Sequence, residues 1–343
     1  MNTPSTTSTT QREIVFDALK LFAIFLVLWG HAIQYLSSTA YYDQPVYRYI
    51  YSFHMPLFMA IAGYFSNSAR NISLAQVARK RFMALVYPAL TFGAVFLLSG
   101  TFKEGLSAGI GKWLNAFWFL KSAFCCAVIF FACRACLKKS LAVVIVSLAL
   151  SQCIFVYRVN LMYPCFLFGV FLNANIALLR RYALAISAVS GLCYAGLLCF
   201  WGAHVWHSPY VSMSFGIQPL PEFWLYTSYR IVTGLAGSLF FISLFLYVFS
   251  RINLSDRLLK VCSCGQETLG IYIIQTFLLE TLMPRLLNLD GAGFFMFNFI
   301  LTPLISLFVL VACIVMFRLI RKSSVLSLLL LYKKPTTAGA SGR

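Results

Sequence analysis

Ten apolar stretches, each long enough to cross a membrane, dominate this sequence of 343 residues. A bilayer is spanned by about 20 consecutive apolar residues in an α-helix. The fifth and sixth stretches are short and closely spaced, so a count of nine or eleven stays open. The stretches cover residues 15–36, 46–65, 82–100, 116–137, 141–157, 161–179, 182–203, 225–250, 269–287 and 293–317. The pattern predicts an all-α, polytopic integral membrane protein.

The composition agrees with this fold class and excludes a soluble domain. Hydrophobic residues make up 61% of the chain, charged residues only 10%, and the mean hydropathy is +0.83. Lys and Arg outnumber Asp and Glu by 27 to 9. In a membrane protein such an excess collects in the cytoplasmic loops, so we do not take it to indicate a nucleic-acid partner.

The positions of the basic residues predict the orientation. With the N-terminus inside, ten spans place 19 Lys and Arg on the cytoplasmic side and four outside. Both termini are therefore expected in the cytoplasm. We expect a disordered tail at 1–12, a membrane domain at 13–322 and a cytoplasmic tail at 323–343, with membrane lipids as the surrounding partner.

The first span carries three ionisable side chains, Asp17, Lys20 and His31, which are costly in lipid and usually face a protein interior or a wet cavity. Lys20 and His31 are eleven residues apart, which places them on one helix face about 16 Å apart along the axis. Asp17 lies about one turn before Lys20, where its carboxylate can pair with the ammonium. We interpret the first span as a helix with a polar face.

Four further titratable residues are predicted at a depth similar to that of His31, in the outer half of the membrane: His54, Lys121, Arg230 and Glu280. Each has a structural alternative. Lys121 can extend to the interface, Glu280 and Arg230 can form a structural ion pair, and His54 can be a hydrogen-bonded core histidine. Taken together, the five residues from five helices predict a functional cavity in the outer half.

Several blocks of the sequence resemble acyltransferase family 3, a group of multi-spanning membrane O-acyltransferases that includes bacterial enzymes acetylating surface sugars. The first block is Asp17-Ala-Leu-Lys20, followed after ten residues by His31, and the second is Tyr51-Ser-Phe-His-Met-Pro-Leu-Phe58, which leads to Gly63-Tyr-Phe65. The third block runs from Lys80-Arg-Phe82 to Tyr87-Pro88, and the fourth is Trp118-Phe-Leu-Lys121. A weaker block lies at Thr268–Ile274. They spread over nearly the whole predicted membrane domain.

The chain departs from the family pattern at three positions. Many members have Arg where this chain has Lys20, the Ser that often precedes Gly-Tyr is Ala62, and a His common in the ninth span is Gln275. These departures leave His31 and His54 intact.

The resemblance implies transfer of an acyl group, in the first instance acetyl, from cytoplasmic acyl-CoA to a hydroxyl of a sugar or surface glycan at the outer side of the bacterial inner membrane. Acyl-CoA is then a co-substrate, and neither a permanently bound cofactor nor a metal is expected. The acceptor is a glycan or a lipid-linked sugar of unspecified identity, and the oligomeric state stays open.

The roles that follow are these. We expect His31 to act as the general base toward the acceptor hydroxyl. His54, Lys121 or Arg230 are expected to stabilise the oxyanion. We expect Glu280 to orient the acceptor or Arg230, and Trp118 to stack on a sugar ring. Lys20 and Arg81 are expected to bind the polyanionic CoA, and Asp17 is expected to support Lys20.

Three alternatives remain at this point. One is a non-catalytic accessory protein that retains the fold, although the presence of both Lys20 and His31 on one helix face argues against it. A transporter of a glycan or lipid-linked precursor would show the same composition and buried charges, although no internal repeat is visible. Within the acyltransferase hypothesis, a covalent acyl-histidine intermediate competes with direct transfer.

Overall fold

The computed structural model describes residues 6–38, 41–66, 73–98, 115–202, 205 and 220–331. Within these ranges all regular structure is helical, which confirms the predicted all-α class. The α-helices are α1 (Thr6–Tyr35), α2 (Pro45–Ser66), α3 (Leu74–Arg81), α4 (Tyr87–Leu98), α5 (Trp118–Cys136), α6 (Ser140–Gln152), α7 (Val159–Ala174), α8 (Ile176–Arg181), α9 (Ala183–Leu198), α10 (Leu220–Arg251), α11 (Asp256–Ser263), α12 (Thr268–Phe277), α13 (Met283–Leu286), α14 (Phe294–Met296), α15 (Thr302–Lys322) and α16 (Ser324–Leu331).

Four described helical stretches are long and apolar enough to cross a membrane: Ile14–Tyr35, Trp118–Cys136, Glu222–Arg251 and Phe294–Lys322. The apolar helices Ser140–Gln152 and Ala183–Leu198 are shorter. Four spans are thus identified by length and composition, while the count of ten and the orientation of the termini stay predictions.

Apolar and polar side chains are distributed as in an integral membrane protein. Large apolar side chains lie on the outer surface, such as Leu192, which is 76% exposed, and Phe308, which is 66% exposed. Polar side chains such as Ser243 and Gln275 are fully buried. A water-soluble protein rarely exposes so much apolar surface, whereas a lipid environment favours it.

Helix α1 lies between two apolar cores. Phe16 and Leu19 pack in one core with residues of α2 and α10, whereas Val27 and Leu28 pack in the other with residues of α5, α12 and α15. The polar side chains of α1 therefore face spaces between packed helices and not lipid.

Helices α2 and α7 approach each other at the backbone, and this approach depends on two glycines. A Cβ atom at Gly63 would lie 1.9 Å from the carbonyl oxygen of Phe166, and one at Gly169 would lie 1.8 Å from that of Ala60. Small residues let membrane helices approach at the backbone. This contact fixes α2, which carries His54.

A third glycine brings the turn before α12 onto α1. The 3₁₀ turn Cys264–Glu267 places Gly265 so that a Cβ atom would lie 1.8 Å from the carbonyl oxygen of Asp17. The neighbouring Gln266 then donates a hydrogen bond from Nε2 to Oδ2 of Asp17 at 2.7 Å. The N-terminal part of α1 and the start of α12 are therefore held together.

At the other end of α1, Asp290 connects the helix to the chain that precedes α14. Its carboxylate accepts hydrogen bonds from the backbone and hydroxyl of Ser38 and from the hydroxyl of Ser37, at 2.6 to 2.9 Å. These donors lower the pKa of Asp290 to about 2, because they stabilise the ionised form.

Part of the stretch predicted as a C-terminal tail is helical. Helix α16 packs against α4: the Tyr87 hydroxyl donates to the carbonyl of Leu329 at 3.0 Å, and the Thr91 hydroxyl to that of Leu330 at 3.1 Å. The part of the predicted C-terminal tail after residue 331 lies outside the described residues, as do residues 1–5, whereas residues 6–12 of the predicted disordered tail belong to α1.

Candidate active site

A cavity of about 780 Å³ brings together five of the predicted site residues, and we name it the outer cavity because the predicted orientation places His31 in the outer half of the membrane. Its lining includes His31, His54, Trp118, Arg230 and Glu280. They come from α1, α2, α5, α10 and the π turn Leu278–Leu282 that follows α12. Four of the five titratable residues that were expected to converge line this cavity, whereas Lys121 does not, and the individual roles of all these residues stay predictions.

The tautomer of His31 follows from its hydrogen bonds. Its Nδ1 lies 2.9 Å from Oε1 of Gln275. The amide nitrogen of Gln275 donates to the carbonyl of Tyr272 at 3.2 Å, so Oε1 is the acceptor side of that amide. Nδ1 of His31 therefore donates, and a neutral ring keeps its lone pair on Nε2. In this tautomer Nε2 of His31 can accept a proton from a substrate.

Glu280 lies beside the same ring nitrogen. Its Oε1 is 3.4 Å from Nδ1 of His31, and its Oε2 accepts from the Tyr35 hydroxyl at 3.3 Å. A carboxylate in this position stabilises an imidazolium once His31 has taken a proton.

A π turn makes the joint contact of Gln275 and Glu280 with His31 possible. Five residues along a regular α-helix are about 140° apart around the axis. The segment Leu278–Leu282 is a π turn, in which hydrogen bonds span five residues, and this wider turn reduces that separation. Both side chains consequently reach one face.

His54 is deeply buried and oriented by its own helix. It is 2% exposed, and its Nδ1 lies 2.7 Å from the carbonyl oxygen of Ile50, to which it must donate. Its Nε2 then carries the lone pair when the ring is neutral. A neutral His54 accepts a hydrogen bond at Nε2, and a role as oxyanion donor would require the protonated ring.

A smaller inner cavity of about 340 Å³ contains two of the predicted donor-binding residues, Lys20 and Arg81, among mostly apolar neighbours. The predicted pair is present: Nζ of Lys20 lies 2.9 Å from Oδ1 of Asp17. Arg81 donates from Nη2 to the buried hydroxyl of Ser66 at 3.0 Å. Asp17 is only 6% exposed, and its carboxylate also accepts a hydrogen bond from Gln266, so its position is fixed. Through its ion pair, Asp17 therefore positions the ammonium of Lys20.

The two cavities share a wall. Val27, Met55 and Tyr272 line both of them. Lys20, which lines the smaller cavity, and His31, which lines the larger one, belong to the same helix, α1. The polar face predicted for the first span therefore borders two adjacent cavities.

The rim near α5 has a strained backbone. Phe117, Tyr157 and Arg158 have φ angles of 56°, 53° and 57°, which are uncommon for residues other than glycine. The Arg158 guanidinium lies 4.6 Å from the ring centroid of Trp118. Lys121 is not among the cavity-lining residues. Its ammonium donates to the carbonyl of Ala116 at 2.8 Å, so its role at the oxyanion stays a prediction.

Sequence reasoning missed three contributors. Gln275 appeared only as a departure from a family pattern, although a Gln within an apolar stretch is itself a signal. Arg158 and Arg285 also line the outer cavity, whereas the sequence predicts for them only a place in the loops on the outer side of the membrane. Their link to the cavity depends on loop geometry that the sequence does not reveal.

Comparison with known proteins identifies the family of the chain. The nodulation protein NolL of Sinorhizobium fredii is 28% identical over 292 residues, 77% of each chain. NolL of Mesorhizobium japonicum is 34% identical over 128 residues, 34% of each chain. No solved structure matches the chain significantly. The family model described as an acyltransferase domain matches residues 14–318, and the chain therefore belongs to acyltransferase family 3.

Proposed function

We propose that this membrane acyltransferase moves an acetyl group from acetyl-CoA, entering from the cytoplasm, to a hydroxyl of a sugar at the outer side of the bacterial inner membrane. The sugar belongs to a surface glycan or its lipid-linked precursor. The observation that carries the proposal is the pair of adjacent cavities along α1, one lined by Lys20 and Arg81 and the other by His31.

The inner cavity suits the donor. Phosphates of CoA need cations, and Lys20 and Arg81 supply two of them, with Arg79 and Lys80 next to Arg81 in the chain. The other lining residues are mostly apolar, for example Phe58 and Leu120. An apolar lining suits the thin pantetheine arm of CoA. The thioester then reaches the wall formed by Val27, Met55 and Tyr272.

The outer cavity suits the acceptor. Sugars are commonly bound by aromatic faces together with a few polar groups. Trp118, Tyr47 and Tyr51 line this cavity, and the rings of the two tyrosines stack with centroids 4.0 Å apart. A sugar bound there has its hydroxyls beside His31.

In the proposed reaction, Nε2 of His31 takes the proton of the acceptor hydroxyl while that oxygen attacks the thioester carbonyl carbon. The carbon–sulfur bond then breaks, and the thiolate of CoA takes the proton from the imidazolium. Gln275 keeps the ring in the required tautomer, and Glu280 stabilises its charged form. Arg230 is the candidate for the oxyanion, since it lines the same cavity.

The test uses membranes containing the protein and acetyl-CoA labelled in the acetyl group. Label should appear in sugar material in a form released by mild base, as expected for an ester. Flux of a glycan without any acyl donor, and no label transfer, would instead favour the transporter. Label trapped on protein with acetyl-CoA alone would indicate a covalent acyl-enzyme.

Replacing Lys20 with Ala is expected to raise the KM for acetyl-CoA by about tenfold, because one charge-assisted contact to phosphate is lost. Steady-state kinetics in membranes, varying donor and acceptor separately, measure this effect. The KM for the acceptor should not change.

Lys260→Ala is the matched control, since Lys260 is an exposed cation of α11 outside both cavities. An unchanged donor KM in Lys20→Ala would contradict a donor site at the inner cavity.

Replacing Gln275 with Leu should lower kcat by about 10- to 100-fold, because His31 loses the acceptor that fixes its Nδ1 proton. Gln275→Glu keeps an acceptor at this position and should retain more activity than Gln275→Leu. Rates measured at saturating donor and acceptor compare the two variants. Equal activity of Gln275→Leu and the unmodified protein would remove Gln275 from the mechanism.

A further inference from the structure

The wall between the two cavities includes three side chains that line both of them, Val27, Met55 and Tyr272. Val27 lies in α1, Met55 in α2 and Tyr272 in α12. Val27 precedes His31 by four residues, which is about 6 Å along the helix axis. The wall therefore lies about one helical turn from the proposed base, at the place where donor and acceptor meet in the proposed reaction.

The direction of the acyl group follows from the arrangement of the two cavities. In the proposed reaction the carbonyl carbon gains the acceptor oxygen and loses the sulfur of CoA, whose thiolate takes the proton from His31. In the tetrahedral intermediate the sulfur is directed to the inner cavity and the acceptor oxygen to the outer one. The oxyanion and the hydrocarbon part of the acyl group consequently point to the sides, and the apolar wall suits the hydrocarbon part.

Two of the three wall side chains are held in place by their neighbours. Val27 is 2% exposed and packs in an apolar core, and a valine in a helix has one strongly preferred rotamer. The ring of Tyr272 lies edge-on to the rings of Phe117 and Phe119, with centroids 6.1 and 6.3 Å away. Neither side chain can turn away without disturbing these contacts.

Met55 is the adaptable part of the wall. Its side chain is partly exposed, and methionine is unbranched with three rotatable bonds. Its backbone is fixed, because the next residue, Pro56, packs closely on α10: a Cβ atom at Gly234 would lie 2.5 Å from Cγ of Pro56. The length of the side chain at position 55 therefore determines the room left for the acyl group.

We infer that Met55 limits the length of the acyl group, so that the enzyme accepts acetyl-CoA and discriminates against longer donors such as butyryl-CoA. This inference rests on the proposed function. Replacing Met55 with Ala removes the Cγ, Sδ and Cε atoms, which fill about as much space as the two carbons by which butyryl is longer than acetyl. An apolar pocket discriminates by about 10- to 200-fold for each methylene group.

The test compares acetyl-CoA and butyryl-CoA, each labelled in the acyl carbonyl carbon, as donors in membranes with the unmodified protein and with Met55→Ala. The measured quantity is the ratio of kcat/KM for butyryl-CoA to kcat/KM for acetyl-CoA. We expect this ratio to rise by about 10- to 100-fold in Met55→Ala. Because both donors are compared on one preparation, the ratio does not depend on how much folded protein each membrane contains.

Three further variants make the test specific for the size of this side chain. Met55→Leu keeps the volume and should retain the preference for acetyl-CoA. Met55→Val shortens the side chain less than Met55→Ala, should give an intermediate ratio, and keeps the test decisive if the alanine variant does not fold. Met296→Ala is the matched control, since Met296 is 48% exposed and lines neither cavity.

The outcomes separate this inference from the proposed function. Transfer of acetyl and butyryl groups in the same ratio by Met55→Ala and the unmodified protein would overturn the role of Met55 and leave the acyltransferase proposal intact. An unmodified protein that uses butyryl-CoA as well as acetyl-CoA would overturn it too. If the unmodified protein transfers neither group to sugar material, the proposed function is wrong, and this inference is wrong with it.

Discussion

Replacing His31 with Gln is expected to lower acetyl transfer by about 10²- to 10⁴-fold, the usual contribution of a general base. The geometry explains the size of this effect. Gln275 fixes the Nδ1 proton, Nε2 keeps the lone pair, and Glu280 stabilises the charged ring. Glutamine is similar in size but has no group that can take a proton at neutral pH. Transfer of labelled acetyl to sugar material measures the loss.

The amount and thermal stability of the His31→Gln protein should remain close to those of the unmodified protein, because the side chain borders a cavity and is not packed in a core. Donor binding at the inner cavity should persist for the same reason. Full activity in this variant would remove His31 from the catalytic role.

Replacing Gly169 with Val is expected to destabilise the protein by at least about 3 kcal/mol, the upper range for overpacking, because the obstacle is backbone and cannot rotate away. A Cβ atom at this position would lie 1.8 Å from the carbonyl oxygen of Ala60. Helices α2 and α7 would have to separate, and His54 would move with α2. We expect little folded protein in membranes and a lower midpoint of thermal unfolding in detergent.

Gly196→Ala in α9 is the matched control, since a Cβ atom there would have no neighbour within 4 Å. The protein should be unaffected or slightly more stable, by up to about 1 kcal/mol, because Gly is unfavourable inside a helix. If Gly169→Val folds as well as Gly196→Ala, the close contact between α2 and α7 is not required for the fold.

The sequence was sufficient for the helical class, the Asp17–Lys20 pair and the approach of His31, His54 and Glu280 to one cavity. The first two depend on apolar run length and helical periodicity, which are local properties, whereas the third follows from the similar depth of these residues in the predicted topology. The transmembrane count needs more than local information, because only four described helices meet the criteria of length and composition.

The partners of His31 could not be predicted, for a physical reason. Regular helical spacing places Gln275 and Glu280 on different faces, and only the π turn at Leu278–Leu282 brings both to one ring. The arginine-lined rim depends in turn on left-handed backbone at Tyr157 and Arg158, which non-glycine residues rarely adopt. Neither feature has a sequence signature of its own.

The proposed passage of the acetyl group from the inner to the outer cavity is tested most directly in sealed vesicles of known orientation. Labelled acetyl-CoA is supplied only at the cytoplasmic face, and acetylated sugar is measured at the opposite face. We expect product at the opposite face in vesicles with the unmodified protein and none with His31→Gln. Product that forms only when acetyl-CoA and acceptor are on the same side would contradict transfer between the two cavities.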